Sequence, residues 1–288
     1  MGKKGKKGQA GKPKKLTPKD IGKRLNALAK NLEEELEGAD LFAPLPPTED
    51  CAICLVPLSR ENSETRYMSC CGNVICRACV GGHEVSINKQ NEENTGKKLA
   101  VTCPFCREPE TTCNDEEFAR LQTRCLQNDR IALTQMGYFY QRGEFGLPKD
   151  SLKALDFLIR AVELGSPTAC LHIGNGYDKG DGVAVDKERA ALFERAGALR
   201  GCVVARYGIG YAEYNLGNHE IGIRHWKISA EAGYQKSLNA LRSIYKADGK
   251  KPGKECISKD YLESTYRACH DAQMEVKSEE REKHRSEE

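Results

Sequence analysis

Cysteines are the residues of this chain best suited to chemistry, because eight of its fourteen fall into four close pairs. Three pairs are separated by two residues and one pair is adjacent: Cys51 and Cys54, Cys70 and Cys71, Cys76 and Cys79, and Cys103 and Cys106. A two-residue gap lets both sulfurs of a knuckle reach one metal ion, and eight thiolates match the ligand count of two tetrahedral zinc ions. The spacing therefore predicts a domain that binds two Zn2+ ions.

The order of these pairs resembles that of a RING finger. In that family the first and third pairs bind one zinc ion and the second and fourth pairs bind the other, so that the metals brace a fold too small for its own core. The resemblance implies a small zinc-braced α+β domain over residues 51–110. It also implies two ligand sets: Cys51, Cys54, Cys76 and Cys79 in one, and Cys70, Cys71, Cys103 and Cys106 in the other.

One position departs from the usual RING pattern. Most RING fingers have a histidine ligand where this chain has Asn73, and an amide is a poor zinc ligand. Either Cys70 and Cys71 both bind zinc, as in an all-cysteine variant, or His83 replaces one of them. A PHD finger is the competing family, but it carries an aromatic residue two positions before its seventh ligand, where this chain has Val101. The RING resemblance is therefore favoured.

Many RING fingers belong to ubiquitin ligases, and the resemblance extends to the residues that such ligases use. Their groove for the ubiquitin-conjugating enzyme corresponds here to Ile53, His83 and Pro104. A basic residue after the last ligand corresponds to Arg107, the candidate catalytic residue, which would favour the reactive form of the ubiquitin thioester. The resemblance implies a RING-type E3 ubiquitin-protein ligase that acts by orientation, with no covalent intermediate of its own. The alternative is a non-catalytic zinc-binding adaptor.

The sequence beyond the cysteines repeats itself at intervals of 37 and 36 residues. Each copy begins with a segment of small residues, at Ala132, Ala169 or Ala205, and its second half ends at a glycine. A single helical hairpin cannot bury its apolar face, so stacked hairpins form an all-α solenoid. The pattern over roughly 130–245 resembles Sel-like repeats, relatives of the tetratricopeptide repeat. We expect a solenoid over residues 116–270 that recruits a protein substrate or a complex partner.

An amphipathic helix is predicted over residues 17–38, before the cysteines. Thr17 is placed to cap it, and apolar residues follow at spacings of three and four along one face: Ile21, Leu25, Leu28, Leu32 and Leu36. This stripe packs either against the next domain or against a partner helix. Residues 1–16 form a basic tail, residues 39–50 a Pro-rich linker and residues 271–288 a charged tail.

The composition fits a globular protein of two domains and argues against several functional classes. The chain has 288 residues, of which 39% are hydrophobic and 30% charged. It contains no apolar run near the length of about eighteen residues that a membrane span needs, and its Lys-rich start does not resemble a secretion signal. We therefore expect no membrane association and a location in the cytoplasm or nucleus, where cysteines serve as metal ligands or buried thiols. The basic tail could bind nucleic acid weakly, and no other nucleic-acid role is expected.

Overall fold

The computed structural model describes residues 17–60, 64–93, 99–111, 113–247, 253 and 256–275. The basic tail and most of the charged tail lie outside these residues. The described residues form eleven helices and one small sheet, with these bounds: α1 Pro18–Leu36, β1 Thr65–Tyr67, β2 Val74–Cys76, α2 Arg77–Glu93, α3 Asn114–Leu126, α4 Arg130–Arg142, α5 Ser151–Glu163, α6 Pro167–Lys179, α7 Lys187–Leu199, α8 Val203–Asn215, α9 His219–Glu231, α10 Gln235–Tyr245 and α11 Lys259–Glu275. None of the helices in this part of the chain is long and apolar enough to cross a membrane.

Helices α4 to α9 form three hairpins, and α10 packs against both α9 and α11. Each hairpin also contacts the next one, through α5 with α6 and through α7 with α8. The helical solenoid that the repeats predict is therefore confirmed. The connection inside the third hairpin is short, since α8 ends at Asn215 and α9 begins at His219.

Small residues and aromatic rings explain why the two helices of each hairpin pack so closely. A Cβ added to Gly210 would lie 2.7 Å from the indole of Trp226, so only glycine allows α9 to approach α8 at this point. The ring of Trp226 in turn packs on Tyr214 of the same hairpin, with ring centres 5.2 Å apart. The equivalent pair in the second hairpin, Tyr177 and Phe193, is stacked at 5.8 Å. Each hairpin thus closes around its own tyrosine.

Helix α1 packs on the solenoid, against α5 and α7. Thr17 caps it by accepting a hydrogen bond from the backbone of Asp20, as the sequence predicts. The residues of its apolar stripe join the main core of the repeats: Ile21, Leu25, Leu28 and Leu32 are buried, and Leu36 packs at the edge. Ion pairs fix both ends of the contact, with Arg24 bound to Asp156 and Glu35 bound to Arg200 at 2.6 Å.

The Pro-rich linker continues along the solenoid from the end of α1. Buried Arg206 donates a hydrogen bond to the carbonyl oxygen of Leu41, and the ring of Phe42 lies 4.8 Å from that of His225. The guanidinium of Arg224 covers the same phenyl ring at 3.9 Å. Residues 39–50 therefore follow a defined path from α1 to the cysteines.

Residues 51–110, called here the cysteine module, lie between α1 and α3. Strands β1 and β2 pair antiparallel, with Thr65 opposite Cys76 and Tyr67 opposite Val74, and α2 begins directly after β2. Apart from cysteines, the described residues of the module bury few large apolar side chains, chiefly Leu58, Met68, Ile75 and Ile87. A core of this size is too small to hold a fold without further cross-links.

Candidate metal centre

The eight paired cysteines lie in two separate groups of four. The sulfurs of Cys51, Cys54, Cys76 and Cys79 all lie within 4.8 Å of one another, and so do those of Cys70, Cys71, Cys103 and Cys106. The groups interleave along the chain, because the first and third pairs meet in one and the second and fourth pairs meet in the other. That these groups bind zinc remains a prediction.

Two of the pairs sit on backbone turns of the same design. In the first turn Cys51 donates to the carbonyl of Val56 at 2.8 Å and accepts from Leu55 at 2.9 Å; in the second, Cys103 donates to Glu108 at 2.8 Å and accepts from Arg107 at 3.0 Å. The residue after each second cysteine has a positive φ, 56° at Leu55 and 64° at Arg107. This tight turn directs both sulfurs of a pair toward one point.

The other two pairs are held by the hairpin and by α2. Cys70 and Cys71 occupy the turn between β1 and β2, where the amides of Cys71 and Gly72 both donate to the carbonyl of Met68, at 3.1 and 2.7 Å. Gly72 has a φ of 81°, which favours glycine. Cys76 ends β2, and Cys79 lies in the first turn of α2.

The spacing of the sulfurs fits a zinc ion. A zinc–sulfur distance of about 2.3 Å places the sulfurs of a regular tetrahedron about 3.8 Å apart. The sulfurs of Cys54 and Cys76 are 4.0 Å apart in the first group, and those of Cys71 and Cys103 are 3.7 Å apart in the second. All eight cysteines are free of disulfides, so each has a sulfur to offer.

The electrostatics of the first group also fit a bound cation. Burial raises the pKa of Cys51, but hydrogen bonds from the backbone of Cys54, Cys76 and Ile53 outweigh this effect and lower it to about 7. Burial, followed by the neighbouring thiols of the group, raises the pKa of Cys79. Close thiolates therefore repel each other, and a divalent cation would supply the positive charge that keeps all four deprotonated.

Asn73 supports the second group through a hydrogen bond. Its side-chain amide donates to the sulfur of Cys71 at 3.2 Å, and a hydrogen bond of this kind stabilises a thiolate. From the sequence, Asn73 is expected only to be a poor ligand. The sequence feature that could have indicated this supporting role is its position two residues after Cys71, with only Gly72 between them.

His83 lies outside both groups of sulfurs. It lies on α2, and its Nε2 is 2.8 Å from the carbonyl oxygen of Thr102, a contact in which the ring nitrogen donates. Since Thr102 precedes Cys103, this bond ties α2 to the last pair of cysteines. The second group is complete without His83, because Cys70 and Cys71 both contribute sulfurs.

The remaining candidate site residues lie on the two cysteine turns. Ile53 is 44% exposed, Pro104 is half-buried and Arg107 is exposed. Leu55 is 74% exposed, more than the other exposed large hydrophobic residues described in the module, Ile53 and Leu99. It is not among the site residues expected from the sequence. Its signal was an apolar residue directly after a cysteine pair, the position that Arg107 holds in the other turn.

Known proteins resemble the helical part of the chain. Residues 130–166 and 167–199 match the Sel1 repeat family. A stretch of 68 residues is 34% identical to the ERAD-associated E3 ubiquitin-protein ligase component HRD3A of Arabidopsis thaliana, and it covers 24% of this chain and 10% of that protein. The chain thus carries Sel1 repeats, and it spans about a tenth of this curated relative.

Solved structures include proteins similar to these helices. A Sel1 repeat protein from Oxalobacter formigenes is 26% identical, with a TM-score of 0.45, over 66% of this chain and 73% of that chain. The protective antigen c5321 of uropathogenic Escherichia coli, described as displaying an SLR fold, is 22% identical, with a TM-score of 0.43, over 54% of this chain and 33% of that chain.

Proposed function

We propose that this protein is a RING-type E3 ubiquitin-protein ligase whose Sel1 repeats bring a protein substrate or complex partner to the cysteine module. The observation that carries the proposal is the interleaving of the two groups of four sulfurs. Four sulfur ligands per site suit Zn2+, and in closed sites of this kind the metal stabilises the fold and takes no part in a reaction. The two zinc ions would hold the turns on either side of β1, β2 and α2.

Ile53, Leu55 and Pro104 form the proposed docking surface for a ubiquitin-conjugating enzyme. The exposure of Ile53 and Leu55 supports this role, since apolar side chains that remain exposed on a rigid turn gain free energy when a partner covers them. His83 contributes indirectly, because its bond to the Thr102 carbonyl orients the turn that carries Pro104.

Arg107 acts on the loaded enzyme. A guanidinium is planar, stays charged and can donate to two acceptors at once, so it can bridge ubiquitin and the conjugating enzyme. Its backbone is fixed by the hydrogen bond to Cys103, and its side chain is exposed. Arg107 would therefore restrict the thioester to its reactive arrangement, which accelerates transfer by orientation.

The Sel1 repeats serve in protein–protein interaction. Their relative HRD3A is by name a component of a ubiquitin ligase, and we extend that association to this chain. Many cysteines without disulfides are typical of a reducing compartment, so we place the protein in the cytoplasm or nucleus.

Metal content is the first test. Elemental analysis of the purified chain should give two zinc ions per molecule, and Cys54→Ser and Cys71→Ser should each lose one of them. Wild-type protein that is folded and carries no zinc would overturn the proposed sites.

Discharge of ubiquitin from a loaded conjugating enzyme to free lysine is the second test. Arg107→Ala should keep both zinc ions and slow discharge about 10–150-fold, since a hydrogen bond to a charged group contributes about 1.5–3 kcal/mol. Arg142→Ala is the matched control, because Arg142 is exposed and pairs with Glu144 on the first repeat. A zinc-loaded wild-type protein that stimulates no member of a panel of conjugating enzymes would instead be the zinc-binding adaptor.

A further inference from the structure

The helical part of the chain grips the turn that carries Cys70 and Cys71. Arg124, in the last turn of α3, donates through Nη2 to the carbonyl of Cys70 at 2.7 Å and through Nε to the carbonyl of Ser69 at 3.3 Å. One guanidinium thus binds two successive carbonyls of the turn. Both belong to the backbone that aims the second group of sulfurs.

Asp129 strengthens this grip from the start of α4. Its Oδ2 accepts the hydroxyl proton of Tyr67 at 2.7 Å, while its Oδ1 accepts from the amide of Ile131 at 2.9 Å. The same carboxylate therefore caps the first helix of the repeats and holds the end of β1. Glu117 of α3 adds a third contact, accepting from the hydroxyl of Ser69 at 2.8 Å.

Packing at the turn leaves little space for adjustment. A Cβ added to Gly72 would lie 2.9 Å from Oδ2 of Asp129 and 3.3 Å from Nη1 of Arg124. Gly72 therefore lets the turn lie closer to Asp129 and Arg124 than a residue with a side chain could, and a movement away from α3 would break the bonds of Arg124. Its position is set by the helices as much as by its own β-hairpin.

We propose that Arg124 is a positioning residue for a zinc ion in the second group of sulfurs, so that binding of Zn2+ there and docking of the cysteine module on the repeats are one coupled event. The inference rests on the zinc sites of the proposed function. Coupling of this kind is reciprocal: whatever the helices add to zinc affinity, zinc adds to the stability of the docked helices. The orientation of the module relative to the repeats then depends on metal occupancy.

The test uses the full chain and a competitive titration with a chromophoric zinc chelator. Arg124→Ala should lower the zinc affinity of one of the two sites about 10–100-fold, the usual effect of losing a group that orients metal ligands. The affinity of the other site should not change. Arg120→Ala is the matched control, because Arg120 lies one turn earlier in α3 and pairs with Glu116 of the same helix. It should leave both affinities at the wild-type value.

Hydrogen exchange read by mass spectrometry identifies which site is affected. The amides of Cys71 and Gly72 report on the second group, and those of Cys51 and Leu55 report on the first. In Arg124→Ala the amides of Cys71 and Gly72 should exchange faster, while those of Cys51 and Leu55 keep their wild-type rates. Removing zinc from the wild-type protein should in turn speed exchange at the amide of Ile131, which Asp129 caps.

Tyr67→Phe keeps the test decisive if Arg124→Ala fails to fold. It removes only the hydroxyl that binds Asp129, and it should lower the zinc affinity of the same site by a smaller factor. Unchanged zinc affinities and exchange rates in the folded variants would overturn the coupling, as would an equal loss at both sites. Wild-type protein without zinc would overturn the metal sites themselves, so the two failures are distinguishable.

Discussion

The exposed apolar residues of the first cysteine turn should make a measurable contribution to the free energy of binding a conjugating enzyme at the proposed docking surface. Ile53 is 44% exposed and Leu55 is 74% exposed. Full burial of a side chain of this size contributes about 1.5–3 kcal/mol. Covering the part that remains exposed is then worth about 1 kcal/mol at Ile53 and about 1.7 kcal/mol at Leu55. Leu55→Ala should therefore weaken binding more than Ile53→Ala.

Each loss of about 1.4 kcal/mol in binding free energy raises the dissociation constant tenfold. The dissociation constant for an unloaded conjugating enzyme should rise about fivefold in Ile53→Ala and about fifteenfold in Leu55→Ala. Both are upper values for simple area loss, because alanine keeps the Cβ. Isothermal titration calorimetry with the full chain measures the constants, and elemental analysis should show that both variants keep two zinc ions.

Two control variants isolate the surface. Val185→Ala removes a side chain of similar exposure, 58%, from the turn between α6 and α7, and it should leave the constant unchanged. Arg107→Ala should leave binding of the unloaded enzyme nearly intact, because the bridge proposed for Arg107 needs ubiquitin as its second acceptor. If a conjugating enzyme binds the wild type and both turn variants with equal affinity, Ile53 and Leu55 are not the docking surface and the reasoning from exposure is wrong.

The other predictions concern the helical part of the chain and are read by thermal or urea unfolding of the full-length protein. Leu25→Ala should lower the free energy of unfolding by about 3 kcal/mol and the melting temperature by about 6–12 °C, because Leu25 is fully buried. Lys23→Ala, on the exposed face of α1, should melt at the wild-type temperature. Equal melting temperatures of the two variants would contradict the packing of α1. Gly210→Ala should destabilise the protein by about 1–3 kcal/mol, since its new Cβ would lie 2.7 Å from an indole. Gly208→Ala in the same helix should stabilise the protein by about 0.5–1 kcal/mol, since its Cβ would meet nothing within 4 Å. The opposite order of stabilities would refute the close approach of α8 and α9. Burial, followed by nearby positive charge, lowers the pKa of His225 from 6.5 to about 4, and burial lowers the pKa of His172 to about 4 as well. The unfolded chain therefore binds both protons more tightly, and stability should fall as pH drops from about 6.5 to about 4 and then level off. His225→Gln should reduce this slope, and an unchanged slope would exclude a contribution from His225.

Local spacing in the sequence was enough to predict the cysteine pairs and the helical repeats. A pair separated by two residues closes a metal-binding turn by itself, and a repeat interval of 37 or 36 residues defines a helical hairpin, because both structures form between residues close in the chain. The interleaving of the two groups came from resemblance to a known family, since nothing in the spacing says which pairs meet. Leu55 and Asn73 were present in the same stretch, but exposure and a hydrogen bond to sulfur are visible only in three dimensions.

Contacts between distant residues were decided by the tertiary structure alone. The sequence predicted the apolar stripe of α1 and left its partner open; the structure packs the stripe into the core of the repeats, with Arg24 bound to Asp156, 132 residues away. The grip of Arg124 on the Cys70 turn spans 54 residues and follows no repeat or motif. Periodicity records which face of a helix is apolar, whereas the choice of what covers that face depends on the shape of the whole core. For this reason the sequence determined the two kinds of module in this protein, and only the folded chain determined how they are joined.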